Sequence, residues 1–133
     1  MEALYRVDRP VPGDYSGDGT SDVGIFRYST ALWAIYQVSR FYFGAAYDLP
    51  IRGKGTSDPA FDAGIFRPDS GLWAVRDFTR FYYGGPSDYP VVADYDGNML
   101  DEAGIFRDST GLWSTKELGT FYFGGPGDVP VTR

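Results

Sequence analysis

The residues best suited to chemistry lie in one short run, Asp14-Tyr15-Ser16-Gly17-Asp18-Gly19-Thr20-Ser21-Asp22. Counting Asp14 as position 1, side-chain oxygens stand at positions 1, 3, 5 and 9 (Asp14, Ser16, Asp18, Asp22), with the Thr20 carbonyl at 7. Oxygen donors at that spacing curl around one hard cation, and glycine at position 6, here Gly19, permits the sharp turn. The same residue types fill ordinary Asx turns, so a plain turn is the competing reading.

Two further stretches occupy the same place in the chain. Asp94, Asp96, Asn98 and Glu102 supply oxygen at the same four positions, but Met99 stands where Gly19 stood and is poorly suited to a positive φ. In the other stretch the counterparts are Lys54, Thr56, Asp58, Pro59 and Asp62. An ammonium cannot ligate a cation, so Lys54 is expected to replace one, its charge neutralising Asp58 and Asp62.

The rest of the composition removes whole classes of function. With no cysteine and no histidine, disulfides, thiolate chemistry, Cys/His zinc sites and histidine-dependent triads are excluded. A net charge of −6, its carboxylates gathered in loops, argues against nucleic-acid partners, which need a basic stripe. Paired carboxylates could in principle cleave glycosides. These acids, however, repeat in register without a pocket-forming insertion, and no catalysis is expected. The start of the chain, MEALYRVDRP, is polar, and neither a signal peptide nor a membrane span is expected.

What positions the loops is a threefold internal repeat. GIFR occurs at Gly24–Arg27, Gly64–Arg67 and Gly104–Arg107; Leu-Trp follows at 32–33, 72–73 and 112–113; FYFG, FYYG and FYFG follow at 41–44, 81–84 and 121–124. Asp48, Asp88 and Asp128 each precede a proline by two residues. The offset is 40 residues throughout, without insertion or deletion. Length and 43% apolar content suit a single domain over 1–133, divided at about 10–49, 50–89 and 90–133 with an extension over 1–9.

Each unit reads as four short strands, about 10–15, 22–27, 32–37 and 41–44 in the first. The second and third are joined through turns such as Pro68-Asp69-Ser70-Gly71 and Asp108-Ser109-Thr110-Gly111. No stretch has helical periodicity. In GIFR the adjacent Ile25 and Phe26 point to opposite faces, and the rings of FYF at 41–43 do likewise. Strands apolar on both faces are sandwiched between other sheets. Two all-β folds suit such units, a β-propeller blade and a β-trefoil lobe. Three lobes complete a trefoil, whereas propellers usually need about four blades or more, so length alone favours the trefoil.

The acidic loop tips the balance. Pro10 to Arg27, PVPGDYSGDGTSDVGIFR, resembles the FG-GAP/VCBS-type repeats of bacterial exported proteins and integrin-like propellers, and the GIFR–LW–FYFG rhythm extends the resemblance over nearly the whole chain. The resemblance implies three four-stranded propeller blades. It also implies calcium in the first loop (Asp14, Ser16, Asp18, Thr20, Asp22) and in the third (Asp94, Asp96, Asn98, Glu102), with none in the second. An extracellular or cell-surface module binding a glycan or a protein follows, the alternative being a structural, self-assembling segment without a ligand.

Trp33, Trp73 and Trp113 are expected in the core rather than on a sugar-stacking surface, and Arg27, Arg67 and Arg107 are expected to pair with a recurring aspartate such as Asp48. Tyr36, Arg76 and Lys116, with Gln37, Asp77 and Glu117, vary among the units and so mark solvent-facing or partner-facing edges. Three blades leave two apolar faces bare. A head-to-tail homodimer, six blades around a twofold axis, would cover both. Pro10-Val11 and Pro130-Val131 repeat one strand start, and Ala3–Val7 is expected to add a strand at the junction.

Overall fold

The computed structural model describes residues 8–54 and 59–131. Three antiparallel sheets of four strands follow one another along the chain. The first holds β1 (Asp8–Pro10), β2 (Gly24–Arg27), β3 (Leu32–Ile35) and β4 (Ser39–Tyr42). The second holds β5 (Leu49–Gly53), β6 (Asp62–Arg67), β7 (Leu72–Val75) and β8 (Thr79–Tyr82). The third holds β9 (Tyr89–Pro90), β10 (Gly104–Arg107), β11 (Leu112–Thr115) and β12 (Gly119–Tyr122). Strands pair in sequence order and only within their own unit, so the units do not merge into the shared barrel of a trefoil. The first and fourth strands begin earlier than expected, at Asp8 rather than Pro10 and at Ser39 rather than Phe41, the first already ending at Pro10, and the second begins later, at Gly24. The expected strand at Ala3–Val7 lies outside the described residues.

Register gives each sheet a row of rings. Phe26, Trp33 and Phe41 stand side by side across β2, β3 and β4. Phe26 meets Trp33 edge-on at 5.2 Å, and Phe41 stacks on Trp33 at 6.0 Å with 9° between planes. The same row recurs as Phe66–Trp73–Phe81 and Phe106–Trp113–Phe121. Each indole N–H donates to a carbonyl just beyond the last strand: Phe43, Tyr83 and Phe123. Buried Trp N–H groups need such a partner.

This ring-bearing front face packs against the back of the next sheet. Phe26 and Trp33 share a core with Ile65 and Leu72, and Phe66 and Trp73 share one with Ile105. Trp33 and Trp73 are accordingly buried, as expected of core residues; Trp113, with no sheet in front of it, is half-buried. One expectation fails. Tyr42, Tyr82 and Tyr122 are exposed rather than sandwiched: each sits on the outermost strand of its sheet, where the preceding sheet does not cover Tyr82 or Tyr122, and no described sheet precedes that of Tyr42.

The β2–β3 type of turn requires a left-handed residue, and Gly71 and Gly111 supply it with φ of 76° and 75°. A Cβ at either would drive into the carbonyl of Gly84 or Gly124. Ala31 fills the position in the first sheet with φ of 63°.

Arg–Asp pairs tie each sheet to the connection that leads into it. Arg67 grips Asp48 through two bonds of 2.8 and 2.9 Å, and Arg107 grips Asp88 at 2.7 and 3.1 Å. Both aspartates are buried, as the recurrence of the two residue types predicts. Arg27 pairs instead with Asp8, both half-exposed.

Candidate metal centre

The two oxygen-rich loops leave the sheets between β1 and β2 and between β9 and β10. Each neck is pinched by one antiparallel bridge, Gly13 with Asp22 and Ala93 with Glu102. Inside the neck the first carboxylate organises the turn. Asp14 accepts the amide hydrogens of Gly17 (2.7 Å), Asp18 (3.1 Å) and Gly19 (2.8 Å). Asp94 accepts those of Gly97 (2.8 Å), Asn98 (3.1 Å) and Met99 (2.8 Å), position for position. The closing carboxylates behave alike, Asp22 accepting from Tyr15 N and Glu102 from Tyr95 N. The first and third loops are one structure made twice.

Met99 adopts φ of 72°, matching 92° at Gly19. The doubt raised by its side chain is met by exposure: the thioether lies in solvent, so the left-handed turn costs backbone strain without a clash.

The loops differ in how their carboxylates converge. One oxygen each from Asp94, Asp96 and Glu102 lies within 4.8 Å of the others. Calcium holds oxygens at about 2.3–2.6 Å, so two ligands of one ion stand at most about 5 Å apart, and the third loop meets that limit. In the first loop Asp14, Asp18 and Asp22 form no such group. Asp18 Oδ1 is turned to the amide and hydroxyl of Thr20, at 3.0 and 2.9 Å, and Ser16 stands where Asp96 supplies a carboxylate. The sequence favours the first loop through its glycine; the geometry favours the third through its extra carboxylate and longer Glu102.

Electrostatics favour the ionised form of Asp94 and Asp18. Desolvation pushes Asp94 up, but the amide hydrogens of Met99, Gly97 and Asn98, with Asp96, outweigh it and hold the carboxyl below its ordinary value. The Thr20 amide, chiefly, does the same for Asp18. Carboxylates held anionic by fixed dipoles are suited to holding a cation and not to passing a proton.

In the second unit Lys54 occupies the first position. Its amide donates to Asp101 Oδ2 at 2.7 Å, and its carbonyl accepts from Asp101 N at 2.7 Å. The main chain of this position is thus pinned to the third sheet, as Asp14 is pinned to the second by Phe61 N at 2.8 Å. Thr56 and Asp58 lie outside the described residues. Sequence reasoning missed this role: position 1 of the first and second loops is a docking point between sheets, and the 47-residue separation of the bonded pairs is its mark.

A tyrosine braces the first and the third loop from beneath. Tyr15 and Tyr95 donate their hydroxyls to the carbonyls of Val11 and Val91, at 2.8 and 2.6 Å. Burial, chiefly, pushes both phenols up to about 12; Arg52 opposes this at Tyr15 while Asp22 adds to it, and Glu102 and Asp101 add to it at Tyr95. The folded value exceeds the unfolded value of about 10, so ionisation favours the unfolded chain. The stabilisation is whole below about pH 10 and is lost as pH rises through 12. Thermal melts should show Tm falling across that window, less steeply in Tyr15→Phe; a flat profile contradicts the bracing role.

Comparisons with family models, with curated proteins and with solved structures find no match to this chain.

Proposed function

We propose that the chain is a non-catalytic, calcium-binding run of three β-propeller blades of the integrin-like repeat kind, serving outside the cell or on its surface as a binding module for a glycan or protein. The observation that carries the reading is the convergence of Asp94, Asp96 and Glu102 in a loop whose backbone is repeated at Asp14–Asp22. Asp94, Asp96, Asn98 and Glu102 would hold one ion and Asp14, Ser16, Asp18, Thr20 and Asp22 a weaker one. Calcium there would neutralise the loop acids and stiffen the points at which sheets dock. Among the described residues no helix is long and apolar enough to cross a membrane.

Calorimetric titration tests this, with terbium luminescence sensitised by Tyr95 as a second readout. Extracellular modules of this type bind calcium at about 10⁻⁴–10⁻³ M. Asp94→Asn should remove the stronger phase and Asp14→Asn the weaker. No heat and no luminescence at millimolar metal would sink the reading. Glycan or protein capture that chelator abolishes supports the ligand-binding role. Assembly without any captured ligand supports the alternative, a self-assembling structural segment, which the bare front of the third sheet favours.

A further inference from the structure

We infer that the front of the third sheet and the back of the first are the two halves of one interface, joined head to tail by a second copy of this chain. The inference rests on reading the sheets as blades. Its template is internal, because the chain builds the same seam twice, first sheet to second and second to third.

Each internal seam has the same parts, forty residues apart. A ring on the front lies beneath a cation from the back: Phe41 under Arg76 at 3.8 Å, Phe81 under Lys116 at 4.9 Å. Beside it Tyr83 Oη bonds Ser114 Oγ; the counterparts in the earlier seam, Phe43 and Ala74, both lack a hydroxyl and both pack on the shared core. A backbone bond crosses each seam, from Phe61 N to Asp14 O and from Asp101 N to Lys54 O.

The unfilled half-seams are complementary by the same shift. On the front of the third sheet Phe123 is 74% exposed and Phe121 is also exposed. On the back of the first, Val23 is 69% exposed and lines a shallow recess with Ile25, Ala34 and Tyr36. Moving the internal pairing on by one unit sets Phe123 against Ala34 and Phe121 against Tyr36. The first repeats the hydroxyl-free combination of Phe43 with Ala74. A tyrosine at 123 would face alanine with its hydroxyl unpaired, which burial penalises. The second exchanges a cation over a ring for an aromatic pair. The carbonyl of Asp94 and the amide of Ser21, counterparts of the bonded backbone pairs, have no partner among the described residues.

Charge agrees. Asp48 and Asp88 each clasp an arginine of the following sheet. Asp128, their counterpart, has no guanidinium among the described residues and accepts only Gly125 N. It stands in the register of Asp8, so at the joined seam it competes with Asp8 for Arg27. Val131, 87% exposed, is the counterpart of the buried Val11, Ile51 and Val91. Rings of about four to eight blades are the usual range, and six is the multiple of three within it, so two copies close the ring.

Light scattering on the 133-residue chain tests this, with Phe123→Asp and Val23→Asp as variants; both side chains are exposed in the single chain, so far-ultraviolet circular dichroism should show the sheets kept in each. The unaltered chain should weigh about twice 14.7 kDa. Each variant alone breaks both seams and should be monomeric. Their equimolar mixture retains one intact seam and should regain association. A monomeric unaltered chain, a mixture that stays monomeric, or a variant that still dimerises overturns the inference, the last pointing to a face-to-face contact. Calcium titration keeps the two readings apart: a monomer that binds calcium sinks the docking alone, and a dimer without calcium sinks the metal reading alone.

Discussion

Trp73→Ala is expected to lower the stability of the chain by about 3–5 kcal/mol, within the range for removing a fully buried tryptophan. Trp73 is 1% exposed and lies between sheets, with Phe66 and Phe81 on its own sheet at 5.1 and 5.7 Å and Ile105 of the third sheet in the same cluster. Alanine leaves a cavity in a seam, and it also strips the carbonyl of Tyr83 of the indole N–H at 2.9 Å. A domain's whole stability is about 5–15 kcal/mol, so the loss is a large share of it. Urea unfolding should show a lower midpoint at unchanged slope. The informative comparison is Trp113→Ala, the same residue in the same row without a sheet in front. Its cost should be about half as large in dilute solution and should approach that of Trp73→Ala where the chain associates. Equal costs at every concentration would mean that seam packing does not set the value of these rings.

Much of the fold was legible because it repeats. A forty-residue period cannot arise from surface chance, and one unit's turn chemistry predicts the others; Gly71 and Gly111 adopt the left-handed φ that their place after Pro68-Asp69-Ser70 and Asp108-Ser109-Thr110 implies. The tryptophans and arginines were legible for the same reason, since a large or charged residue at one strand position in every unit has a common structural duty. What the period conceals is position within the array. Trp33, Trp73 and Trp113 hold the same place in their units, each after a leucine, yet only the first two have a sheet in front of them. Period-two patterning likewise placed Tyr42 on a packed face without telling that its strand is the outermost.

The variable positions Tyr36, Arg76, Lys116, Gln37, Asp77 and Glu117 are all exposed, as expected. Arg76 and Lys116 are polar, as exposed edges are, but they lie over rings of the preceding sheet. Both remain exposed, as the solvent-facing reading of their variation expects, and the rings they cover belong to the neighbouring sheet of the same chain. Gln37 and Asp77 carry φ of 61° and make the β3–β4 type of turn, which shifts the fourth strand forward. Polar residues tolerant of the left-handed region were the signal for it. At the candidate metal centre the ligand spacing was visible in the sequence. The ranking of the loops was not, because it depends on which way Asp18 turns and on the one methylene by which Glu102 outreaches Asp22.

Asp48→Ala is expected to be the other large loss, and it separates two kinds of ion pair that look alike in sequence. The Asp48 carboxylate is buried, holds Arg67 through both oxygens, and also accepts the amide of Ala45 at 2.8 Å. Removing one partner of a buried pair costs about 3–5 kcal/mol because the survivor is stranded. Here the survivor is a guanidinium whose side chain is 39% exposed; water can solvate it, which brings the expected loss down to about 2–3 kcal/mol. Asp48→Asn keeps an acceptor for Ala45 and should recover about 1 kcal/mol of that loss, the worth of one hydrogen bond. Arg67→Leu reverses the situation. It strands the buried carboxylate instead of the accessible cation and should cost more than Asp48→Ala. Asp8→Ala breaks the corresponding pair with Arg27 where both side chains are half-exposed, and should cost less than about 1 kcal/mol. Chemical unfolding of the four variants gives the order directly. If Asp8→Ala costs as much as Asp48→Ala, then burial between sheets is not what gives these pairs their value.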